Sequence, residues 1–171
     1  MEGSLRSNKD AGRKILENLN DAELLNAFLT DKYISTIPDE MFWKNRLMSK
    51  YPLTAEYKEC DPSWHLDMIK PVPNTWKNYY LYVIYYADKM QREFGFKFVK
   101  GNPRWSYHLL TEAKRGNTID LNHTLRNQIL KGDEELAIHL LNYQLRRLGE
   151  SPYALGSPEW EDYKNFILQT L

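Results

Sequence analysis

The side chains that could do chemistry in this chain are four histidines, one cysteine and a short acidic run. The histidines are His65, His108, His123 and His139. No two of them stand four residues apart and no His-Glu-x-x-His run occurs, so the spacing with which a helix face binds zinc is absent. Cys60 has Lys58, Glu59 and Asp61 as neighbours, a mixture of charges that does not stabilise a thiolate. We therefore expect neither a metal site nor a cysteine nucleophile.

The acidic run Asp133-Glu134-Glu135 follows Gly132 at the predicted start of a helix. Carboxylates at such a position accept backbone N–H groups and complement the helix dipole, so they need no catalytic explanation. The chain also lacks a glycine-rich phosphate loop and a Gly-x-Ser-x-Gly nucleophile turn. The sequence predicts a protein that is not an enzyme and uses no cofactor.

Composition narrows the class of protein further. Lys plus Arg and Asp plus Glu both number 23 in 171 residues, so no net charge attracts a polyanion and bulk nucleic-acid binding is disfavoured. Hydrophobic residues make up 42%, with 12 Tyr and 5 Trp, which is typical of a folded chain. A single cysteine excludes an intrachain disulfide and fits a reducing compartment. With neither a signal peptide nor a long apolar stretch, we expect a soluble protein of the cytoplasm or nucleus.

The elements that must position the side chains are helices, and the first clear one follows Asn20. Asn20 and Glu23 have the spacing of a capping box, which predicts a helix that starts near Asp21. The apolar residues of this helix are Leu24, Leu25, Phe28 and Leu29. Their spacing places them on one broad stripe, which we expect to be buried.

A second helix is predicted after Pro38, which forbids continuation of the first. Asp39 and Glu40 suit a helix N-terminus, where negative charge is stabilised. The residues predicted to form the buried face are Phe42, Trp43 and Leu47.

Taken together, residues 15–52 resemble the F-box. The matching positions are Ile15-Leu16, Leu19, Glu23-Leu24-Leu25, Phe28-Leu29, Tyr33, Phe42-Trp43-Lys44, Leu47 and Tyr51-Pro52. The family usually begins its first helix with Leu-Pro and an acidic residue, whereas this chain has Lys9-Asp10-Ala11-Gly12-Arg13.

The resemblance implies an adaptor that docks on a Skp-type adaptor protein of a cullin-based ubiquitin ligase, while the rest of the chain selects a target. An F-box-like start joined to a tyrosine-rich helical remainder is also similar to proteins that large DNA viruses encode, which would place the chain in a host cell. The partner-binding residues that the resemblance implies are Leu16, Leu19, Leu24, Leu25, Phe28, Phe42 and Trp43.

The remainder of the chain is predicted to be helical as well. Residues 76–94 show an apolar pattern of helical spacing, although the run Tyr79–Tyr86 is also rich in strand formers and leaves a buried strand as the alternative. A short β element is predicted at Phe96–Val99, where apolar and other residues alternate before a turn. Further helices are predicted at 103–113, 120–130 and 133–148, and one from Ser157-Pro158-Glu159 that buries Trp160, Tyr163, Phe166, Ile167 and Leu171.

The sequence thus predicts an all-α fold in which an F-box-like helical module packs on a C-terminal helical domain. The predicted parts are a flexible N-terminus at 1–14, the module at 15–52, a packed connector at 53–73 and a helical interaction domain at 74–171. Three functions stay open: the ligase adaptor, a helical interaction or assembly subunit that could be a homo-oligomer, and nucleic-acid binding. The basic residues behind the third are Lys97, Lys100, Arg104, Lys114, Arg115, Arg126, Arg146 and Arg147, interleaved with Phe98, Trp105 and Tyr107.

Overall fold

Helices make up the regular structure of the chain. A computed structural model describes residues 11–55, 75–117 and 120–170, and within these ranges no strand occurs. The predicted all-α class is confirmed. The helices are α1 (residues 11–17), α2 (Asp21–Thr30), a 3-10 turn (Ile34–Thr36), α3 (Glu40–Lys50), α4 (Pro52–Ala55), α5 (Trp76–Phe94), α6 (Pro103–Arg115), α7 (Leu121–Leu130), α8 (Glu134–Arg147) and α9 (Pro158–Thr170).

Side-chain caps explain where several helices begin. Asn20 accepts the Glu23 N–H at 2.8 Å, and Asp39 accepts the Phe42 N–H at 2.8 Å. The capping box differs in one detail from the predicted form, because Glu23 accepts from the side-chain amide of Asn20 and not from its backbone. Gly95 ends α5 in the left-handed conformation, with φ 63°, which a residue with a Cβ adopts at a cost.

The two predicted parts share one hydrophobic core. α3 packs on α5, and the stack then continues through α6, α8, α7 and α9. Buried side chains from both parts belong to the same cluster, in which the rings of Trp43 and Tyr80 lie 5.5 Å apart between centroids. The helical spacing predicted for residues 76–94 is also right, since Tyr80, Val83 and Met90 are buried.

Three details differ from the predictions. Residues Phe96–Val99 form no strand, because no other segment pairs with them in the described part of the chain; burial still alternates, with Phe96 and Phe98 inside. Phe166 on α9 is exposed, because Trp160 and Ile167 take the buried face and no later described helix covers the flank. The helical part begins by residue 11, N-terminal of Ile15, while most of the predicted connector, 56–73, lies outside the described residues.

Candidate functional site: a groove beside a buried ion-pair cluster

Most of the predicted partner-binding residues lie inside the molecule. Leu16, Leu24, Phe42 and Trp43 are buried in the shared core, with at most 3% of each side chain exposed. Leu19 and Phe28 are half-buried and pack against that core. A partner of the folded chain could reach Leu25, which is 40% exposed. The buried four therefore shape the N-terminal helices and do not form their surface.

Trp43 is the centre of the N-terminal packing. Its ring contacts Phe28, Phe42 and Tyr80, at centroid distances of 5.9, 5.2 and 5.5 Å. Edge-to-face contacts with two of these rings add to the area that a tryptophan buries. Because Tyr80 belongs to α5, this one side chain joins α2 and α3 to the C-terminal helices.

The apolar stripe of α2 divides into two faces. Leu24 and Phe28 face the core, whereas Leu25 and Leu29 point about a quarter of a turn away and are 40% and 87% exposed. The prediction that all four are buried is wrong for Leu25 and Leu29, because only the face of α2 that carries Leu24 and Phe28 packs on the core. The result is an unburied apolar edge along α2.

A partly buried ion-pair cluster joins α2, α3 and α5 beside Trp43. The Arg46 guanidinium donates to Asp21 at 3.0 Å, to the Tyr80 hydroxyl at 2.9 Å and to the carbonyl of Leu19 at 2.6 Å. The Tyr80 hydroxyl donates to Asp21, and Lys50 forms a further ion pair with the same carboxylate. Every charge in this cluster therefore has a partner, as a partly buried charge requires.

The cluster shifts the pKa values of its members. Burial alone would raise the pKa of Asp21, but hydrogen bonds from Lys50, Tyr80 and Arg46 bring it below its usual value. Burial and the bond to Asp21 raise the pKa of Tyr80, and the Arg46 charge offsets part of this rise. Asp21 stays ionised and Tyr80 stays neutral at physiological pH, so the cluster is a fixed anchor and not a proton relay.

A groove opens between α2 and α5 next to this cluster; we call it the α2–α5 groove. Its volume is about 980 Å³. We call the lining residues of α5 its floor, and those of α2 and of the segment Lys97–Val99 its walls. The lining residues are Asp21, Ala22, Leu25, Lys50, Tyr51, Leu81, Ile84, Tyr85, Ala87, Asp88, Gln91, Lys97, Phe98 and Val99.

The lining of the groove combines apolar side chains with two residues of each charge. Leu81 and Ile84 line it from α5, and Leu25 lines it from α2. Asp21 and Lys50 form an ion pair within the lining, and Asp88 and Lys97 add one further charge of each sign. Clefts of this kind, apolar with a few convergent polar groups, bind ligands or peptide segments.

Several basic residues considered for nucleic-acid binding hold the ends of helices. Lys114 donates to the carbonyl of Glu93 at 2.9 Å, Arg147 donates to that of Ala113 at 2.5 Å, and Lys100 donates to that of Gly132. These cations offset the negative ends of helix dipoles. Phe98, one of the aromatic residues considered for base stacking, is buried. These cations therefore stabilise the ends of helices, and their presence does not require a nucleic-acid partner.

The described histidines do not converge. His108 and His123 are exposed on α6 and α7, and His139 is half-buried on α8, where its Nε2 lies 3.0 Å from the carbonyl of Phe94. No group of three or more potential metal ligands occurs in residues 11–55, 75–117 and 120–170. His65 and Cys60 lie outside these ranges. No helix among the described residues is long and apolar enough to cross a membrane.

Sequence reasoning missed Arg46 as the centre of the ion-pair cluster. Arg46 occupies the apolar face of α3, between Trp43 and Leu47. A charged residue within a buried stripe needs a buried counter-charge, and that is the signal that could have revealed it. No local pattern indicates which carboxylate pairs with Arg46.

Comparison with known proteins does not indicate a family for this chain. The chain matches no model of a protein family, no curated protein and no solved structure. What the site does must follow from its own residues, which form an apolar groove, an anchoring ion-pair cluster and an exposed apolar edge.

Proposed function

We propose that the chain is a non-enzymatic adaptor, in which the N-terminal helices dock on a Skp-type adaptor protein and the remainder binds a target. The observation that carries this proposal is the concentration of exposed large apolar side chains on residues 11–55. Half of the fourteen such side chains lie on this shorter part of the described chain. They are Ile15, Leu25, Leu29, Tyr33, Met41, Met48 and Leu53.

The exposed apolar residues follow helical spacing on two elements. Leu25 and Leu29 are four residues apart on α2, and Met41 and Met48 are seven apart on the outward face of α3. Contiguous exposed apolar surface marks interaction sites, and flexible methionines adapt to a partner's shape. The F-box-like pattern of these same helices is what suggests the class of partner.

Such an adaptor would work by proximity. A protein that binds two partners raises the effective concentration of one beside the other, without chemistry of its own. Because α3 and α5 share a packed core, the two binding surfaces would keep a fixed orientation. A bound target would then be held at a constant position relative to the ligase.

The test is co-purification of the intact chain with a Skp-type adaptor. We expect Leu29→Asp, at an 87% exposed position on α2, to abolish binding without unfolding the protein. Leu130→Asp, at a 61% exposed position on α7, is the matched control and should bind like the wild type. Trp43 is unsuitable for this test because its loss would disrupt the core. Absence of binding by the folded wild-type chain would refute the ligase role for the adaptors tested.

A second candidate is an assembly subunit without a ligase link, and the shared core favours it. N-terminal helices that pack into the same core as α5 are elements of one fold and not a detachable module. The exposed edge of α2 would then bind another copy of the chain. Light scattering across a range of concentrations separates the two functions, since a strict monomer excludes the homo-oligomer.

A further inference from the structure

We propose that the α2–α5 groove binds an extended peptide segment of a partner protein, which pairs through its main chain with Lys97–Val99. This inference rests on the proposed adaptor function and assigns the groove as the target-binding surface. The occupant is an unfolded or loop segment with apolar side chains at alternate positions.

Unpaired main-chain groups on the groove wall carry the proposal. The N–H of Phe96 bonds to the carbonyl of Met90 at 3.2 Å, and beyond it no main-chain hydrogen bond of Lys97, Phe98 or Val99 occurs within the described residues. The alternating burial of these residues, with Phe98 inside and its neighbours outside, is the pattern of a strand. Although the segment is not itself a strand, main-chain groups without a partner offer an edge to which another chain can add.

The groove provides a surface for the side chains of an added strand. Leu81 and Ile84 form the floor, and Leu25 forms the facing wall. Every second side chain of an extended peptide would point to this floor, while its main chain runs about 4.8 Å from Lys97–Val99. Specificity would then come from apolar residues at alternate positions of the peptide.

The length of the groove also fits a short strand. The lining residues of α5 run from Leu81 to Gln91, which is about 15 Å along a helix axis. Four or five extended residues cover about the same distance. A helical occupant would bring no donors or acceptors to the wall, because its own main chain is already paired. Hydrogen bonding therefore favours the extended form.

The experiment begins with random peptides displayed on phage and selected on the intact protein. We expect enriched sequences with alternating apolar residues, and we expect Val99→Asp to weaken their binding about tenfold or more. Val99 is 39% exposed on the groove wall, so the substitution should leave the fold intact. Leu155→Asp, at an exposed apolar position outside the groove, is the matched control and should bind like the wild type.

Amide hydrogen exchange with a selected peptide tests the pairing itself. Alternate N–H groups of a strand point to opposite edges, so the peptide should protect either the amides of Lys97 and Val99 or the amide of Phe98. A peptide that binds as a helix, or that protects none of the three amides, would overturn the proposal. So would a lack of enrichment over the Val99→Asp protein, or a dimer of the chain that Val99→Asp dissolves.

This test can fail independently of the docking test. Leu25 belongs both to the exposed edge of α2 and to the groove, so neither test substitutes it. Leu29 is not among the lining residues of the groove, and Val99 is not part of the N-terminal helices. Loss of Skp-type docking in Leu29→Asp together with normal peptide binding would separate the two surfaces. Peptide binding without docking on a Skp-type protein would support the groove as a peptide-binding site and refute the proposed ligase partner.

Discussion

The N-terminal helices and the C-terminal helices are held in place in different ways. α1 to α3 depend on one aromatic centre, Trp43, and one ion-pair cluster around Arg46. In the C-terminal part, side chains of later helices hold the ends of earlier ones: Lys114 and His139 bind carbonyls at the end of α5, and Arg147 binds one at the end of α6.

The difference teaches where surface is left for binding. Two concentrated anchors fix the N-terminal helices while burying little of their outer faces, so Leu29 and Met41 stay exposed. The C-terminal helices distribute their contacts over several neighbours, and α8 contacts α5, α6, α7 and α9. A part with few anchors should be sensitive to single substitutions at those anchors and tolerant elsewhere.

The largest expected effect comes from Trp43→Ala. Removal of this buried ring should lower the free energy of unfolding by about 3 to 5 kcal/mol, because a cavity replaces contacts with three aromatic rings. Leu29→Ala, on the same group of helices but exposed, should change it by less than about 0.5 kcal/mol. Urea unfolding measures both values. Similar losses in the two variants would contradict the claim of a concentrated anchor.

The ion-pair cluster predicts the next largest effect, for Arg46→Met. The change removes one of three donors to Asp21 and the side-chain donor to the carbonyl of Leu19, which should cost about 2 to 3 kcal/mol after allowance for the remaining exposure of Asp21. Lys50→Met removes a 44% exposed partner of the same carboxylate and should cost less than about 1 kcal/mol. Equal losses of stability in the two variants would show that Arg46 is not the centre of the cluster.

The same cluster limits the pH range of its contribution. The pKa of Asp21 is lowered on folding, so its stabilisation is present above the unfolded value of about 4 and is lost as pH falls through the folded value. The pKa of Tyr80 is raised, so its contribution is complete below about 10 and decreases above that pH. In Arg46→Met the acid limb of the stability profile should move to higher pH, because Asp21 loses a donor that keeps it ionised.

A smaller effect is expected in the C-terminal part, at His139. Burial, with a contribution from the Arg146 charge, lowers the pKa of His139 despite its bond to the Phe94 carbonyl. As the pH falls, the unfolded chain therefore binds this proton at a higher pH than the folded chain does. The free energy of unfolding should decrease below about pH 6.5 by at most about 1.4 kcal/mol per pH unit. His139→Gln keeps a donor for the carbonyl and should flatten this slope. The control His123→Gln retains His139 and should show the same slope as the wild type.

The smallest expected effect is at the contact between α8 and α9. Lys164 lies 2.7 Å from Glu134 and 2.9 Å from Glu161, near the surface. Lys164→Met should cost less than about 1 kcal/mol in low salt and almost nothing in 1 M salt, because screening weakens surface ion pairs. Thermal unfolding at the two salt concentrations measures this. A loss that persists in high salt would indicate a packing role for the lysine stem.

Local signals made most of the fold predictable. Asn20 and Asp39 cap helices where capping chemistry placed them, and the spacing of Tyr80, Val83 and Met90 indicated the buried face of α5. These features depend on residues close together in the chain. The helical class followed from them without knowledge of which helices pack together.

The site was less predictable because it depends on contacts between distant residues. Asp21 and Tyr80 are 59 positions apart, and no local pattern pairs them. Periodicity marked Leu24 and Leu25 as equally apolar, but only the position of α5 decides that one is buried and the other lines a groove. Docking on a Skp-type protein, which the F-box-like pattern implies, stays a prediction.

The carbonyls at the end of α5 have a consequence for local opening. Glu93 and Phe94 are bound by side chains of α6 and α8, so fraying of the last turn of α5 must also break these contacts with other helices. Fraying, which is usually the cheapest motion of a helix, is here tied to a larger rearrangement. The rate at which a protease cleaves at Gly95 would therefore report on how firmly α6 and α8 hold the end of α5.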